Sequence, residues 1–331
     1  MDQGPVTRKH SRERRRRRGW IVILLLGLVI TGSGMVKLIG YGIDLLSSRR
    51  TAQELREVYD AVPEEESLAA AIPETAEETE TETEPAVDAE THMEAAAEPE
   101  KEPAPAAAEN RKTTKLQSAG YPGNPDLQVS SRFQRLQEKS GNIVGWLTIS
   151  GTLDEPVALR DNDFYLDHNA NGEPNINGAI FLDAAIGLDS RPYTYLLYGH
   201  NMKTGAMFGS LRNYENSAFY RKDPFITFDT MYEKGRFVVF AAGVVSTEES
   251  SDKYVDFYAL KSRNIQGRQQ AIDSLIGASV HSCEIDVEPE DQLLVLVTCV
   301  DKDEERRVVA ARRIREGESE AALKKQVKQS W

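Results

Sequence analysis

Residues 293–299 read LLVLVTC, and residues 306–314 read RRVVAARRI. The first run is continuously apolar, which is typical of a strand that is buried on both faces, and it places Thr298 and Cys299 at its carboxyl end. Polar, turn-like residues separate the two runs, so the simplest arrangement is a hairpin. Such a hairpin folds Arg306 back beside Cys299.

The second run begins with two neighbouring arginines. Side chains alternate between the two faces of a strand, so Arg306, Val308 and Ala310 share one face while Arg307 begins the other. Only one of the two arginines can therefore point into a site beside Cys299. Arg307 remains the alternative to Arg306.

A second motif lies about a hundred residues earlier, where residues 197–201 read LYGHN. His200 follows a predicted strand and precedes a glycine-containing loop, a position that suits a proton donor. Taken alone, His200 is better explained as a residue that caps or packs against that loop. Together with a cysteine and an arginine, it completes the groups for acyl transfer: a thiolate nucleophile, an acid for the leaving amine and a cation for the oxyanion.

The region from residue 143 onward alternates short β-rich runs with Gly, Asn, Asp and Pro. Eight runs in under two hundred residues predict an all-β barrel or sandwich. The runs are VGWLTI, EPVALR, GAIFLD, TYLLYG, FITF, RFVVFAAGVV, QLLVLVTC and RRVVAARRI. Apolar residues at helical spacing predict one helix over residues 132–140 and another over residues 262–280.

Charge divides the first third of the chain. Residues 1–50 carry eleven Lys or Arg and three Asp or Glu. Residues 51–110 carry only two Lys or Arg but nineteen Asp or Glu. The acidic balance of the chain is therefore a property of the segment before the β-rich region, and it says little about partners of that region. The basic block at residues 14–18 abuts an apolar segment, so we expect no nucleic-acid partner.

That apolar segment, Trp20 to Ile39, has about the twenty residues needed to cross a bilayer. The positive charge on its amino-terminal side predicts a cytoplasmic N-terminus and an exported, extracellular remainder. A cleaved signal peptide is the alternative, but the stretch is long and no clear small-x-small site follows it. We therefore expect a single-pass membrane anchor.

The remainder before the β-rich region has few large apolar side chains. Residues 51–61 predict a short juxtamembrane helix or nothing stable, and residues 62 to about 120 predict a disordered acidic spacer that holds the folded part away from the membrane. The predicted organisation is a basic N-terminus (1–19), an anchor (20–39), a juxtamembrane segment and linker (40–125), a catalytic domain (126–318) and a C-terminal tail (319–331).

The chain has only two cysteines, Cys283 and Cys299. In an exported protein they could form a disulfide. Both lie in or beside strand-like apolar runs, however, and a domain near two hundred residues has enough core to fold without one. We expect a free Cys299. No metal-ligand spacing is visible, so we expect neither a metal nor a cofactor.

From about Arg132 to Ile314 the chain resembles the sortases, and more narrowly class B, the membrane-anchored cysteine transpeptidases of Gram-positive bacteria. The resemblance rests on segments that occur in order: DNDFYLDHN (161–169), NGAIFLD (177–183), LYGHNMKTGAMFGSL (197–211), VTC (297–299) and RRVVAAR (306–312). It implies a mainly β fold, a closed eight-stranded barrel with peripheral helices.

The resemblance also implies the site. It places the catalytic histidine at His200, the nucleophile at Cys299 and the arginine at Arg306. A substrate groove would include Asn162, Leu166 and Thr298. Two positions of that groove depart from the family: Val297 replaces a frequent hydroxyl residue, and Val300 replaces a frequent acidic residue.

The function implied is cleavage of a C-terminal sorting signal after Thr, through a thioacyl enzyme, and transfer of an exported protein to an amine of the cell wall. The implied acceptor is a peptidoglycan precursor. Three alternatives remain open: a pilin polymerase that uses a Lys of another subunit, a plain cysteine peptidase, and a non-enzymatic surface barrel.

Overall fold

Eight strands close into a barrel in the order β1-β2-β3-β4-β7-β8-β6-β5, so the predicted barrel is confirmed. The computed structural model describes residues 6–63, 120–300 and 304–329, and the predicted spacer lies almost wholly outside them. The strands are β1 Ile143–Ile149, β2 Leu153–Ala158, β3 Ile180–Leu182, β4 Thr194–Tyr198, β5 Phe225–Thr230, β6 Arg236–Ser246, β7 Leu293–Cys299 and β8 Glu305–Arg313.

Two strand pairings position the site. Strands β4 and β7 are parallel, with Tyr198 opposite Val297, so both carboxyl ends emerge at the same rim of the barrel. Strands β7 and β8 form the predicted antiparallel hairpin, and their register sets Cys299 opposite Arg306. The apolar run of β7 is buried from Leu293 to Val297, as expected of a strand covered on both faces.

Short helices cover the outside of the barrel. The two helices predicted from spacing correspond to α2 and α5, and the structure adds two helical turns and the C-terminal helix α6. Their bounds are α2 Ser131–Lys139, α3 Ser217–Lys222, α4 Phe257–Lys261, α5 Ile265–Gly277 and α6 Glu320–Gln329. The side chain of Asn264 caps α5 by accepting from the backbone N–H groups of Gln266 and Gly267.

The C-terminal residues that the sequence placed in a tail include a docked helix. Leu323 and Val327, four residues apart on α6, are buried in the main core. Just before α6, Glu318 accepts two hydrogen bonds of 2.7 Å from the buried Arg312 of β8. The bidentate pair satisfies a charge that would be costly to bury alone.

The first helix, α1, runs from Val6 to Asp60. Its last turns pack on the barrel: the ring of Tyr59 stacks on Trp146 at 4.5 Å, and the Tyr59 hydroxyl donates to Asp229 at 2.7 Å. Leu55 and Tyr59 are buried in a second apolar core, which also includes Trp146. Arg132 donates to the Val62 carbonyl at 2.9 Å. Of the two alternatives left open for residues 51–61, a helix or nothing stable, the structure shows a helix as far as Asp60, and it packs on the barrel.

This docking changes the expected arrangement of the chain. The helix reaches the barrel before the acidic segment begins, so that segment does not separate α1 from the barrel as the sequence suggested. Many side chains of the predicted anchor, up to Ile30, lie outside the described residues. Within the part of the chain that is described, no helix combines the length and apolar character that a membrane crossing requires.

Candidate active site

The carboxyl ends of β4 and β7 bring His200 and Cys299 to one rim. Tyr198 of β4 pairs with Val297 of β7. His200 lies two residues after Tyr198, and Cys299 lies two residues after Val297. Neighbouring strands run about 4.8 Å apart, so the ends of β4 and β7, which lead to His200 and Cys299, are adjacent along the rim. Cys299 is exposed although Thr298, immediately before it, is buried. The strand thus ends by presenting a thiol to solvent.

Arg306 lies opposite Cys299 in the hairpin and donates from Nη1 to the carbonyl of Glu305 at 2.9 Å. Burial raises the pKa of Tyr198, as does the nearby carboxylate of Asp183, while the positive charge of Arg306 acts in the opposite direction. Arg306 is therefore within electrostatic reach of the end of β4. Arg307 instead pairs with Glu215, with Nε 2.7 Å from the carboxylate.

His200 is oriented by a backbone carbonyl. Its Nε2 lies 2.6 Å from the carbonyl oxygen of Leu166, at the end of a 3-10 turn that spans Phe164–Leu166 in the β2–β3 connection. A carbonyl oxygen only accepts, so Nε2 carries the proton in this contact. The Nδ1 atom is then the ring nitrogen that this bond leaves available for a reacting group.

The three predicted groove residues have different environments. Leu166 is 44 % exposed, and its backbone carbonyl accepts from the imidazole. The side-chain oxygen of Asn162 accepts from the backbone N–H of Ala184 at 2.9 Å, which ties two loops together. The hydroxyl of Thr298 is buried, and among the described residues it has no hydrogen-bond partner.

Gly178 is a site residue to which the sequence argument assigned no role. It has φ +61°, and a Cβ added there would overlap the Tyr165 carbonyl oxygen and lie 3.1 Å from Cδ2 of His200. Only glycine leaves room for the ring at this point. The Asn177-Gly178 dipeptide, a typical turn signal, was the available clue.

Arg212 is a second residue that sequence reasoning missed. It donates to the carbonyls of Gly209 and Met202, at 2.6 and 2.8 Å, and so holds the loop that follows His200. Beside this loop lies an open cavity of about 450 Å³. Its lining residues are Asn201, Lys203, Arg212, Val300 and Arg307.

Both cysteines are free thiols, so the disulfide alternative is not observed. Cys283 lies 2.8 Å from the hydroxyl of Tyr220, and burial raises the pKa of its thiol. Within the described residues, no three His, Cys, Asp or Glu side chains come together in a way that could hold a metal ion.

Comparison with known proteins identifies relatives. A family model described as the sortase domain matches residues 157–314. Sortase B of Staphylococcus aureus is 33% identical over 192 residues, which cover 56% of this chain and 75% of that protein. Sortase B of Listeria monocytogenes is 29% identical over 188 residues, covering 55% and 73%.

Solved structures agree. The S. aureus sortase B–substrate complex superposes with a TM-score of 0.51 at 31% identity, covering 56% of this chain and 86% of that one. Sortase B of Bacillus anthracis, solved in complex with AAEK2, gives 0.51 at 27% identity, covering 61% and 89%. The barrel and these relatives together define a cysteine transpeptidase.

The chain belongs to the sortase family, and its relatives are class B sortases. The family prediction made from the sequence motifs is therefore confirmed.

Proposed function

We propose that Cys299 is the nucleophile of this transpeptidase. Its thiolate attacks the carbonyl of a Thr in the C-terminal sorting signal of an exported protein, the peptide bond breaks, and a thioester forms. The observation that carries this assignment is the exposed thiol at the end of β7, in register with Arg306 and next to the end of β4 that leads to His200.

His200 enters this step as the imidazolium: its Nε2–H donates to the Leu166 carbonyl, and its Nδ1–H protonates the departing amine. Arg306 stabilises the negative charge on the carbonyl oxygen. An amine then attacks the thioester, a new amide forms, and the thiolate is regenerated. Electron and proton balance need no further reactant, because the acceptor amine supplies the proton that its attack releases. The exposed side chain of Leu166 and the Thr298 hydroxyl are suited to the substrate groove, with Asn162 holding its wall.

The complexes of two relatives support a substrate and an amine acceptor of this general kind. The S. aureus protein was solved with a substrate, and another solved sortase B is complexed with triglycine. For this chain the acceptor would be an amine of a peptidoglycan precursor, which makes it an enzyme of cell-wall anchoring and assigns it to the thiol peptidase class. A pilin lysine is the alternative acceptor.

The cellular arrangement is supported by the sequence. Residues 20–39 would form a single-pass anchor, with a cytoplasmic N-terminus and an extracellular catalytic domain. Because the end of α1 docks on the barrel, the catalytic domain would lie close to the membrane surface.

Intact-mass spectrometry of the full chain tests this function. The chain is mixed with Thr-containing sorting-signal peptides, with and without oligoglycine or lysine-bearing acceptors. We expect a mass increase equal to the amino-terminal fragment of the peptide, located on Cys299 and discharged by the acceptor. Discharge only by water would indicate a plain peptidase, and discharge only by a pilin lysine would indicate a pilus enzyme. No adduct on a thiol that also resists alkylation would contradict catalysis altogether.

A further inference from the structure

Helix α1 is bonded to the loop that leads into β3. The side-chain amide of Asn175 donates to the carbonyl of Asp44 at 2.9 Å. The hydroxyl of Ser48 lies 3.0 Å from both the Asn175 side-chain oxygen and the Asp44 carbonyl oxygen, either of which accepts its proton. Asn177 donates to the same hydroxyl at 3.3 Å. Ser48, Asn175 and Asn177 are all buried, so these bonds are shielded from competing water.

The same loop contacts His200. Asn175 accepts through its carbonyl from the N–H of Gly178 at 3.0 Å, and Gly178 is the residue against which the imidazole packs. The next residue, Ala179, donates to the carbonyl of Tyr165 at 3.0 Å. Leu166, adjacent to Tyr165, supplies the carbonyl that accepts from the imidazole. A continuous series of contacts therefore joins Ser48 to the ring of His200.

The contacts from Ser48 to His200 restrict the orientation of the imidazole. The Leu166 carbonyl can select one orientation of the imidazole only if the loop that carries it is fixed. Side-chain amides at Asn175 and Asn177 fix the loop through partners on α1, which lies outside the residues matched by the family model. Without the helix, buried amides would lose their partners and the loop would rearrange.

We propose that α1 is a positioning element for His200, with Ser48 holding Asn175 and Asn177 so that the Leu166 carbonyl orients the imidazole. The inference rests on the proposed role of His200 as proton donor. A purely structural attachment of the helix would make a different prediction, because its loss would lower stability without altering the ring in molecules that remain folded.

The full chain and three variants distinguish these cases. Ser48→Ala removes the hydroxyl, Ser48→Thr retains one, and Ser47→Ala is the matched control on the same helix, since the Ser47 hydroxyl makes none of these bonds. We expect Ser48→Ala to lower kcat of the transfer reaction about three- to tenfold with little change in KM, because misplacement of a catalytic group slows the chemical step. Ser48→Thr should restore most of the rate.

A spectroscopic measurement reads the ring directly. In protein labelled with ¹⁵N-histidine and observed with the imidazole in its neutral form, His200→Gln assigns the ring signals. Ser48→Ala should then move the ¹⁵N shifts of the His200 ring toward the average of the two tautomers. Ser47→Ala should leave them in place.

An unchanged His200 spectrum in folded Ser48→Ala protein, together with wild-type kcat, would overturn the proposal. If the wild-type chain forms no adduct at Cys299, the proposed function fails, but the ring spectrum still decides whether Ser48 orients His200.

Discussion

Cys299 and Cys283 are the same side chain in two opposite environments. Cys299 ends β7 at the open rim, exposed and in register with an arginine. Cys283 is partly buried beside Tyr220, and burial raises the pKa of its thiol. A thiol reacts as its thiolate, so desolvation suppresses the reactivity of Cys283, whereas the thiol of Cys299 is open to reagents from solvent.

The largest test of this comparison is removal of each thiol. Cys299→Ala should lower transfer activity by at least about 10³-fold, because no other group replaces a nucleophile. Cys283→Ala should keep activity within about threefold and lower the free energy of unfolding by about 1 kcal/mol. Steady-state kinetics and urea unfolding measure both. The comparison breaks if Cys299→Ala stays active.

The two neighbouring arginines extend the comparison along β8. Arg306→Ala should lower kcat about 10²-fold, the typical cost of losing one oxyanion donor. Arg307→Ala should cost less than about tenfold, since its Nε is engaged by Glu215. Arg306→Lys keeps the charge but loses the planar guanidinium, so its kcat should lie between those of the wild type and Arg306→Ala. Equal losses at both positions would contradict the assignment.

Alkylation compares the thiols without mutation. At neutral pH, Cys299 should react with iodoacetamide at least about tenfold faster than Cys283, because it is exposed whereas burial holds the pKa of Cys283 above its usual value. Peptide mapping of the time course gives both rates. Unfolding in urea is the control and should bring the rates together; a persistent difference there would exclude a folded-state cause.

Burial should act on a carboxyl group as it does on Cys283. Desolvation, and to a smaller extent the charge of Asp154, raise the pKa of Glu155 to about 8. The folded state therefore binds the proton more tightly than the unfolded state, and this group reduces stability as pH rises from about 4.5 to about 8.

Glu155→Gln should remove that decline. Full linkage would be about 5 kcal/mol, but Glu155 is partly exposed, so we expect a gain of about 1–2 kcal/mol at pH 9 and little change at pH 4. Urea unfolding across this range measures the difference. Asp154→Ala is a useful contrast, because Asp154 accepts from the Trp146 indole N–H at 2.8 Å and loss of this acceptor should destabilise the protein. A pH-independent gain in Glu155→Gln would show that its carboxyl does not titrate as described.

Local patterns in the sequence were sufficient for the strands. The run TYLLYG became β4, LLVLVTC became β7 and RRVVAARRI became β8, because alternation or continuous apolarity reports how a segment is buried. The hairpin between β7 and β8 was equally accessible, since only a short turn joins them. The role of Gly178 was not accessible, because it depends on what packs against the residue.

Helix α1 shows where such patterns stop. Leu55 and Tyr59 have helical spacing, and no partner for their helix was predicted, yet they pack against Trp146 and other residues of the barrel wall. The neighbouring acidic composition suggested that the whole segment lies outside the domain. Local spacing shows that a helix has an apolar face, but it does not show which distant segment of the chain covers that face.

Residue patterns along the chain were enough to predict the eight strands, the hairpin that sets Arg306 opposite Cys299, and the residue types that acyl transfer needs. Only the tertiary structure decided that β4 lies parallel to β7, that His200 therefore reaches the rim of Cys299, and that the Leu166 carbonyl orients its ring. A strand can be predicted locally because its order of apolar and polar residues reflects which of its side chains are buried. Strand order and loop contacts instead arise from closure of the barrel, which joins segments that are distant in the chain.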